Sequence, residues 1–190
     1  MVKAAETLHV QVAPAFVDFE MTGLSANYGR LICGCIKPYG GEVTTLRIDD
    51  TARGVTYPWD DHDLALGLRD ELEKQWMIVG WNSVMFDIKF LNSRLMFHRE
   101  RVLRKPLHKD LLFTAKTVFA LTDNRLITVQ EHLQLDEAKT RLDPNEWIKA
   151  SAGDAGAIDY VAEHCVQDVR VLEEVFEHLV PFIKEIHRDG

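Results

Sequence analysis

The residues best placed to do chemistry begin with Asp18 and Glu20, in the stretch Ala15-Phe-Val-Asp-Phe-Glu-Met-Thr-Gly-Leu24. The run from Phe16 to Glu20 reads as a buried β-strand, yet it carries two carboxylates two residues apart. Alternation along a strand sends both to the same face. Adjacent buried carboxylates repel and lose their solvation unless a cation neutralises them. The pair therefore marks either a divalent-metal site or a strand end that reaches solvent. A second constellation is Gly80-Trp-Asn-Ser-Val-Met-Phe-Asp-Ile-Lys-Phe-Leu91. Asp87 there follows a short apolar strand and falls near the first turn of a helix, where the dipole favours a carboxylate whether or not it has a further role. A third is Ala162-Glu-His-Cys-Val-Gln-Asp-Val-Arg-Val-Leu172. His164 and Asp168 are four apart and share one helical face, beside an apolar stripe of Val161, Cys165, Val169 and Leu172. Taken alone, the two could form an exposed pair of little energetic weight.

The elements that must position these residues follow from periodicity and turn chemistry. After the first strand comes a turn over Thr22 to Asn27, then a strand from Arg30 to Lys37. Pro38-Tyr-Gly-Gly41 is a tight turn, and Glu42 to Ile48 a third strand, completing an antiparallel meander. Thr51 to Trp59 is expected to be a loop. Asp60 or Asp61 caps a helix to about Gln75, with Leu64, Leu68 and Leu72 on one face. Met77–Gly80 is a short buried strand, Trp81–Ser83 a turn, and Phe86 to about Phe97 a helix with Ile88, Leu91 and Leu95 inward. A short strand within Pro106–Asp110 precedes helices at Leu112–Leu121 and Thr128–Leu135. Asp136 to Gly156 is expected to be irregular. A long helix starts at Asp154 or Ala155 and runs to about Glu177, interrupted near Pro181 and resuming to the end. Three antiparallel strands followed by alternating helices and short strands imply one mixed α/β domain over residues 1–190.

Composition narrows the function classes. With 46% hydrophobic and 27% charged residues the profile is that of a soluble globular protein. No apolar run approaches the length of a membrane span, and the N-terminus lacks the pattern of a signal peptide, so a cytoplasmic location is expected. The three cysteines, Cys33, Cys35 and Cys165, do not form a disulfide framework and read as core residues. A net charge of −8 argues against a protein that coats nucleic acid, but not against an enzyme whose acidic cluster holds metal. From Arg94 to Lys109 the residues Arg94, Arg99, Arg101, Arg104, Lys105 and Lys109 stand against Glu100 alone, with His98 and His108 among them. That segment is either a solvated face or a phosphate track.

In order and spacing, the three constellations resemble the motifs of the DEDD superfamily of 3′–5′ exonucleases, named for four acidic residues. Phe16 to Leu24 resembles the first motif, an Asp-x-Glu followed by Thr-Gly-Leu. Gly80 to Leu91 resembles the second as it occurs in the proofreading domains of family-B DNA polymerases. His164-Cys-Val-Gln-Asp168 resembles the third, and Leu126 to Thr140 is similar to the segment between motifs two and three in that group. The likeness spans about residues 15 to 178. One departure stands out: the superfamily carries either a tyrosine four residues before the final Asp or a histidine five before it. Here Glu163 is at the fifth position and His164 at the fourth.

The resemblance implies a ribonuclease-H-like α/β fold, a mixed sheet flanked by helices, and hydrolysis of phosphodiester bonds with two Mg²⁺ or Mn²⁺ ions. Asp18, Glu20, Asp87 and Asp168 would be the metal ligands and His164 the general base. Thr22, Leu24 and Asn82 would contact the substrate. Trp81, Phe86 and Tyr28 are candidate stacking groups, and Asp110 either supports the site or caps a helix. The expected substrates are 3′ ends of single-stranded DNA or RNA, taken freely or from a polymerase or other replication or repair partner, with no membrane involved. The alternatives are a catalytically inactive binding module and an endonuclease on the same fold.

Overall fold

The structure is a computed structural model and describes residues 13–104, 106–135 and 142–183. Five strands form one sheet in the order β3-β2-β1-β4-β5. They are β1 (Ala15–Met21), β2 (Leu31–Pro38), β3 (Thr44–Arg47), β4 (Met77–Gly80) and β5 (Leu107–Asp110). β1 to β3 pair antiparallel, whereas β1 with β4 and β4 with β5 pair parallel. This is the mixed ribonuclease-H-like sheet expected from the sequence. β1 is central, and Ala15, Phe16 and Val17 are buried on both faces as a strand covered by helices requires.

Among the described residues seven α-helices come after β3, interleaved with β4 and β5: α1 (Ala52–Thr56), α2 (His62–Glu73), α3 (Asp87–Phe97), α4 (Leu111–Val118), α5 (Leu126–Leu133), α6 (Pro144–Ser151) and α7 (Ala155–Leu179). Leu64, Leu68 and Leu72 bury the inner face of α2, as their spacing dictates. Leu68 lies so close to β2 that a Cβ on Gly34 would come within 2.6 Å of its side chain. Gly34 alternates with Cys33 and Cys35, so those two face the opposite layer, which is α7. α7 lays Val161, Cys165, Val169, Leu172, Val175, Phe176 and Leu179 on the sheet. Each fully buried aliphatic side chain of this kind contributes about 1.5–3 kcal/mol. Its register is pinned at several points. The Phe176 ring meets Phe16 edge-on at 5.4 Å, Tyr39 Oη donates to Glu177 at 2.9 Å, and Lys37 pairs with Glu173.

The structure departs from the sequence reading in several places. The loop after β3 contains α1, capped by Thr51, whose hydroxyl accepts from Gly54 N. The stretch expected to be irregular contains α6, where the Asp143 side chain accepts from Asn145 N and Pro144 opens the helix. β3 is confined to Thr44–Arg47, short of the expected Glu42 to Ile48. Beyond α7 a 3₁₀ turn spans Val180–Phe182. The expected resumption past it falls on residues 184–190, and part of the motif-like segment ending at Thr140 falls on 136–140. Both lie outside the described residues.

Candidate active site

β1 outruns its parallel neighbour. Its pairing with β4 holds at Ala15–Ile78 and Phe16–Val79, and β4 ends at Gly80, so beyond Val17 β1 has no strand partner on the β4 side. Asp18 and Glu20 lie on that overhang, half-buried, where the carboxyl ends of parallel strands leave a crevice. Across the antiparallel pairing Asp18 is opposite Cys35 and Glu20 opposite Cys33, so both carboxylates face α7. All three thiols are buried.

The segment between β4 and α3 is held by β5. A Cβ on Gly80 would fall 2.0 Å from Ser83 Oγ, so the turn needs glycine there. Ser83 is fully buried and hydrogen-bonds His108 Nε2 at 2.9 Å. Asn82 takes a left-handed backbone with φ 60°. Its N–H donates to Asp110 at 2.9 Å, as do Val84 N at 3.2 Å and Leu112 N at 3.0 Å. Asp110 is thus at once the N-cap of α4, one of the two roles the sequence left open, and the clasp on this turn. Asp87 opens α3 and is buried, and its Oδ1 accepts from Phe19 N at 3.1 Å, between Asp18 and Glu20. Burial pushes the Asp87 carboxyl up to about 7, with the charge of Asp110 adding to the rise and backbone N–H bonds opposing it. Burial raises Asp110 as well, against the pull of its three N–H donors.

α7 supplies the third part. His164 and Asp168 are buried on its sheet-facing side, with His164 Nε2 3.9 Å from Asp168 Oδ2. Between them the Cys165 thiol donates to the Asp18 carbonyl at 3.2 Å, which ties the helix to β1 at the first candidate ligand. Asp18 and Asp168 line one pocket of about 780 Å³, together with Trp81, Asn82, Lys116 and Arg125 among others. Glu20, Thr22, Leu24, Asp87 and His164 are not among its lining residues. Thr22 Oγ1 instead accepts from Arg30 N at 3.0 Å and closes the β1–β2 hairpin, and Leu24 is 83% exposed. Of the stacking candidates, Trp81 is in the pocket wall with Nε1 donating to Asn124 O at 3.1 Å. Phe86 packs against Phe90 and the core, and Tyr28 projects into solvent.

Part of the basic segment is taken up by pairing within the fold, while Arg99 and Arg104 are exposed. Arg94 is buried and grips Asp61, which is 0% exposed, with Nη2 at 2.8 Å and Nε at 2.9 Å. His98 Nε2 adds a contact to Asp61 at 2.7 Å, and the Arg94 guanidinium stacks on Phe97 at 4.4 Å. Arg101 pairs with Glu73 at 2.5 Å, while His108 and Lys109 are buried. Lys105 lies outside the described residues. Asp61 stands at the N-cap of α2 as expected, but its side chain makes no cap bond and serves as the hub of this network. What the sequence reading missed is the basic part of the pocket wall, Lys116 and Arg125, because nothing in the local sequence connects α4 and the start of α5 to β1.

The carboxylates of Asp18, Glu20, Asp87 and Asp168 are hard oxygen donors, the chemistry that Mg²⁺ and Mn²⁺ take. Among the described residues no three Asp, Glu, His or Cys side chains converge as a ready-made metal-ligand group. One oxygen of Asp87 is already engaged by Phe19 N. Among the described residues no helix is long and apolar enough to cross a membrane.

A family model described as the RNase_H superfamily matches residues 15–180. No curated protein matches the chain. Among solved structures it is similar to the family B DNA polymerase from the hyperthermophilic archaeon Pyrobaculum calidifontis, with a TM-score of 0.70 over 90% of this chain and 18% identity. The match covers 25% of the polymerase, so this chain spans about a quarter of its length. At that identity the likeness bears on the fold alone.

Proposed function

The chain belongs to the RNase_H superfamily, and from that premise we propose that it is a metal-dependent 3′–5′ exonuclease acting on ends of single-stranded nucleic acid. The observation that carries this reading is the meeting of Asp18 from β1 and Asp168 from α7 in one pocket, with Asp87 bonded to the backbone between Asp18 and Glu20. Asp18 and Asp168, far apart in sequence, share this pocket, and Asp87 reaches the strand that carries Asp18.

Asp18, Glu20 and Asp168 would hold one Mg²⁺ or Mn²⁺ ion, and Asp18 with Asp87 a second. Bound there, such ions supply charge neutralisation and Lewis acidity for in-line displacement at phosphorus. His164 is the candidate general base for the attacking water. Its Nε2 lies 3.9 Å from Asp168 Oδ2, on the same face of α7. Asp110 fixes the turn that carries Asn82 and Trp81 into the pocket wall, and so orients the substrate end without touching it.

The test is incubation with 5′-labelled single-stranded DNA and RNA in Mg²⁺, Mn²⁺ or EDTA. A ladder shortened from the 3′ end, dependent on metal and absent in Asp18→Asn, is the expected result. Absence of cleavage of either polymer in either metal would replace the enzymatic reading with that of a binding module. The likeness to a family B polymerase favours a second form of the same reading, in which a polymerase delivers the strand in trans. A sizing measurement with a polymerase present separates the two.

A further inference from the structure

The pocket that holds Asp18 and Asp168 has a second wall with a different chemistry. Its charged members are Lys116 on α4 and the Asp123–Arg125 pair before α5. Arg125 is already committed: Nη2 lies 2.6 Å and Nε 3.0 Å from Asp123 Oδ2. Asp123 also receives Arg125 N and Thr128 Oγ1, and its carboxyl is held below the usual range by these partners. Lys116 differs. It is exposed, and among the described residues nothing pairs with it. Leu112 and Lys116 are four apart on α4 and both line the pocket, so the ammonium stands on the face of the helix turned to it. The Trp81 ring is held in the same wall by its bond to Asn124 O. An exposed cation beside an anchored aromatic ring is the combination that takes a phosphate and an unstacked base of a single strand.

We propose that Lys116 and Trp81 seat the nucleotide 5′ to the scissile bond, Lys116 binding its phosphate and Trp81 stacking on its base. The proposal rests on the nuclease reading of the same pocket. It assigns the strand path to α4 and the turn after β4, not to the Arg94–Lys109 segment, and it makes recognition tolerant of sequence. Every base offers a face to Trp81, and the phosphate is common to all.

The test measures binding of fluorescent single-stranded oligonucleotides of several sequences in an Asp18→Asn background, so that the strand is not consumed. Lys116→Gln is compared with Lys89→Gln, which removes the same charge from an exposed position on α3 outside this pocket. Loss of one phosphate contact lowers the slope of log Kd against log salt by about 0.7 on a single strand. Between 50 and 200 mM salt that slope difference is worth roughly 2.6-fold in relative affinity. Lys116→Gln is expected to show this change for every sequence, Lys116→Arg to restore it, and Lys89→Gln to leave it unchanged. Trp81→Leu is expected to weaken binding by about fivefold or more without altering the salt slope. A Lys116→Gln variant with the affinity and slope of Lys89→Gln overturns the proposal. Strand binding that depends on Lys116 in a protein that cleaves nothing would overturn the nuclease reading, and with it the placement beside a scissile bond, but not the contacts of Lys116 and Trp81 with the strand.

Discussion

Replacing Arg94 by Met should turn one of the best-buried charges of the protein into its weakest point. Asp61 is 0% exposed and has three kinds of donor: the Arg94 guanidinium, His98 Nε2 at 2.7 Å and Leu31 N at 2.9 Å. Burial alone would raise its carboxyl, but these partners outweigh burial and hold it below its ordinary value. A carboxylate with a depressed pKa contributes stability that is present above its unfolded value near 4 and is lost as pH falls through the folded value. Removing the guanidinium strands a buried charge at a cost of about 3–5 kcal/mol. At roughly 2–4 °C per kcal/mol for a chain of this size, the midpoint of thermal unfolding falls by about 6–20 °C. The sign of the pH dependence also reverses. With burial dominant, the Asp61 carboxyl rises, and the variant loses stability as pH climbs from about 4 through the raised value. Thermal melts followed by circular dichroism from pH 5 to 8 read both effects. The double variant Asp61→Asn/Arg94→Met, with neither charge buried, should recover most of the loss. The reasoning fails if Arg94→Met melts within about 2 °C of wild type. It also fails if the variant keeps its stability but loses strand affinity, because Arg94 would then belong to a phosphate track after all.

Three further outcomes follow from the site. Asp18→Asn and Asp168→Asn should each lower the initial rate in Mg²⁺ by about 10²–10³-fold or more, the scale on which one transition-state electrostatic group is felt, with melts near wild type. In metal-free protein, the raised pKa of Asp87 means that stability falls as pH rises from about 4 to about 7, by up to roughly 4 kcal/mol. Asp87→Asn should flatten that dependence in chelator-treated melts, and equal slopes for variant and wild type would refute the assignment. Asp110→Ala removes a helix cap and two further backbone partners, at about 1 kcal/mol each. It should cost roughly 3 kcal/mol and reduce activity, while Asp110→Asn, which keeps an acceptor, should retain most of both, as melts and rate measurements will show.

The sheet was legible because its signals are local. The alternating strand with Asp18 and Glu20, the tight turn at Pro38–Gly41 and the apolar run Met77–Gly80 each state their own conformation. So does the long stripe of α7, whose capping residue Asp154 accepts from Ala157 N. α6 was equally legible and was overlooked: Asp143-Pro144 is an N-cap followed by proline at the first helical position. The basic segment was hard to read for a different reason. Charge density along the chain does not reveal that Arg94 and His98, four apart on and just beyond α3, meet Asp61 at the start of α2. The pocket wall was illegible on the same principle, since Lys116, Trp81 and Asn124 meet only through the packing of α4 and the turns around it.

The position of the histidine shows what helical geometry adds to a motif. Relative to Asp168, a side chain four residues earlier lies about 40° round the helix axis, and one five residues earlier about 140° away. The structure bears out the difference: Glu163, at the fifth position, is exposed, whereas His164, at the fourth, is buried on the face of Asp168 with Nε2 3.9 Å from its carboxylate. Cys165, next along, bonds to the Asp18 carbonyl and fixes the rotation of the helix about that point. A histidine at the fifth position would need a helix turned differently on the sheet to reach the same carboxylate. In this chain the stripe of Val161, Cys165, Val169 and Leu172 forbids that turn, because rotating it would lift the core off β1 and β2. The packing of α7 thus puts position 164, and not position 163, on the face that carries Asp168.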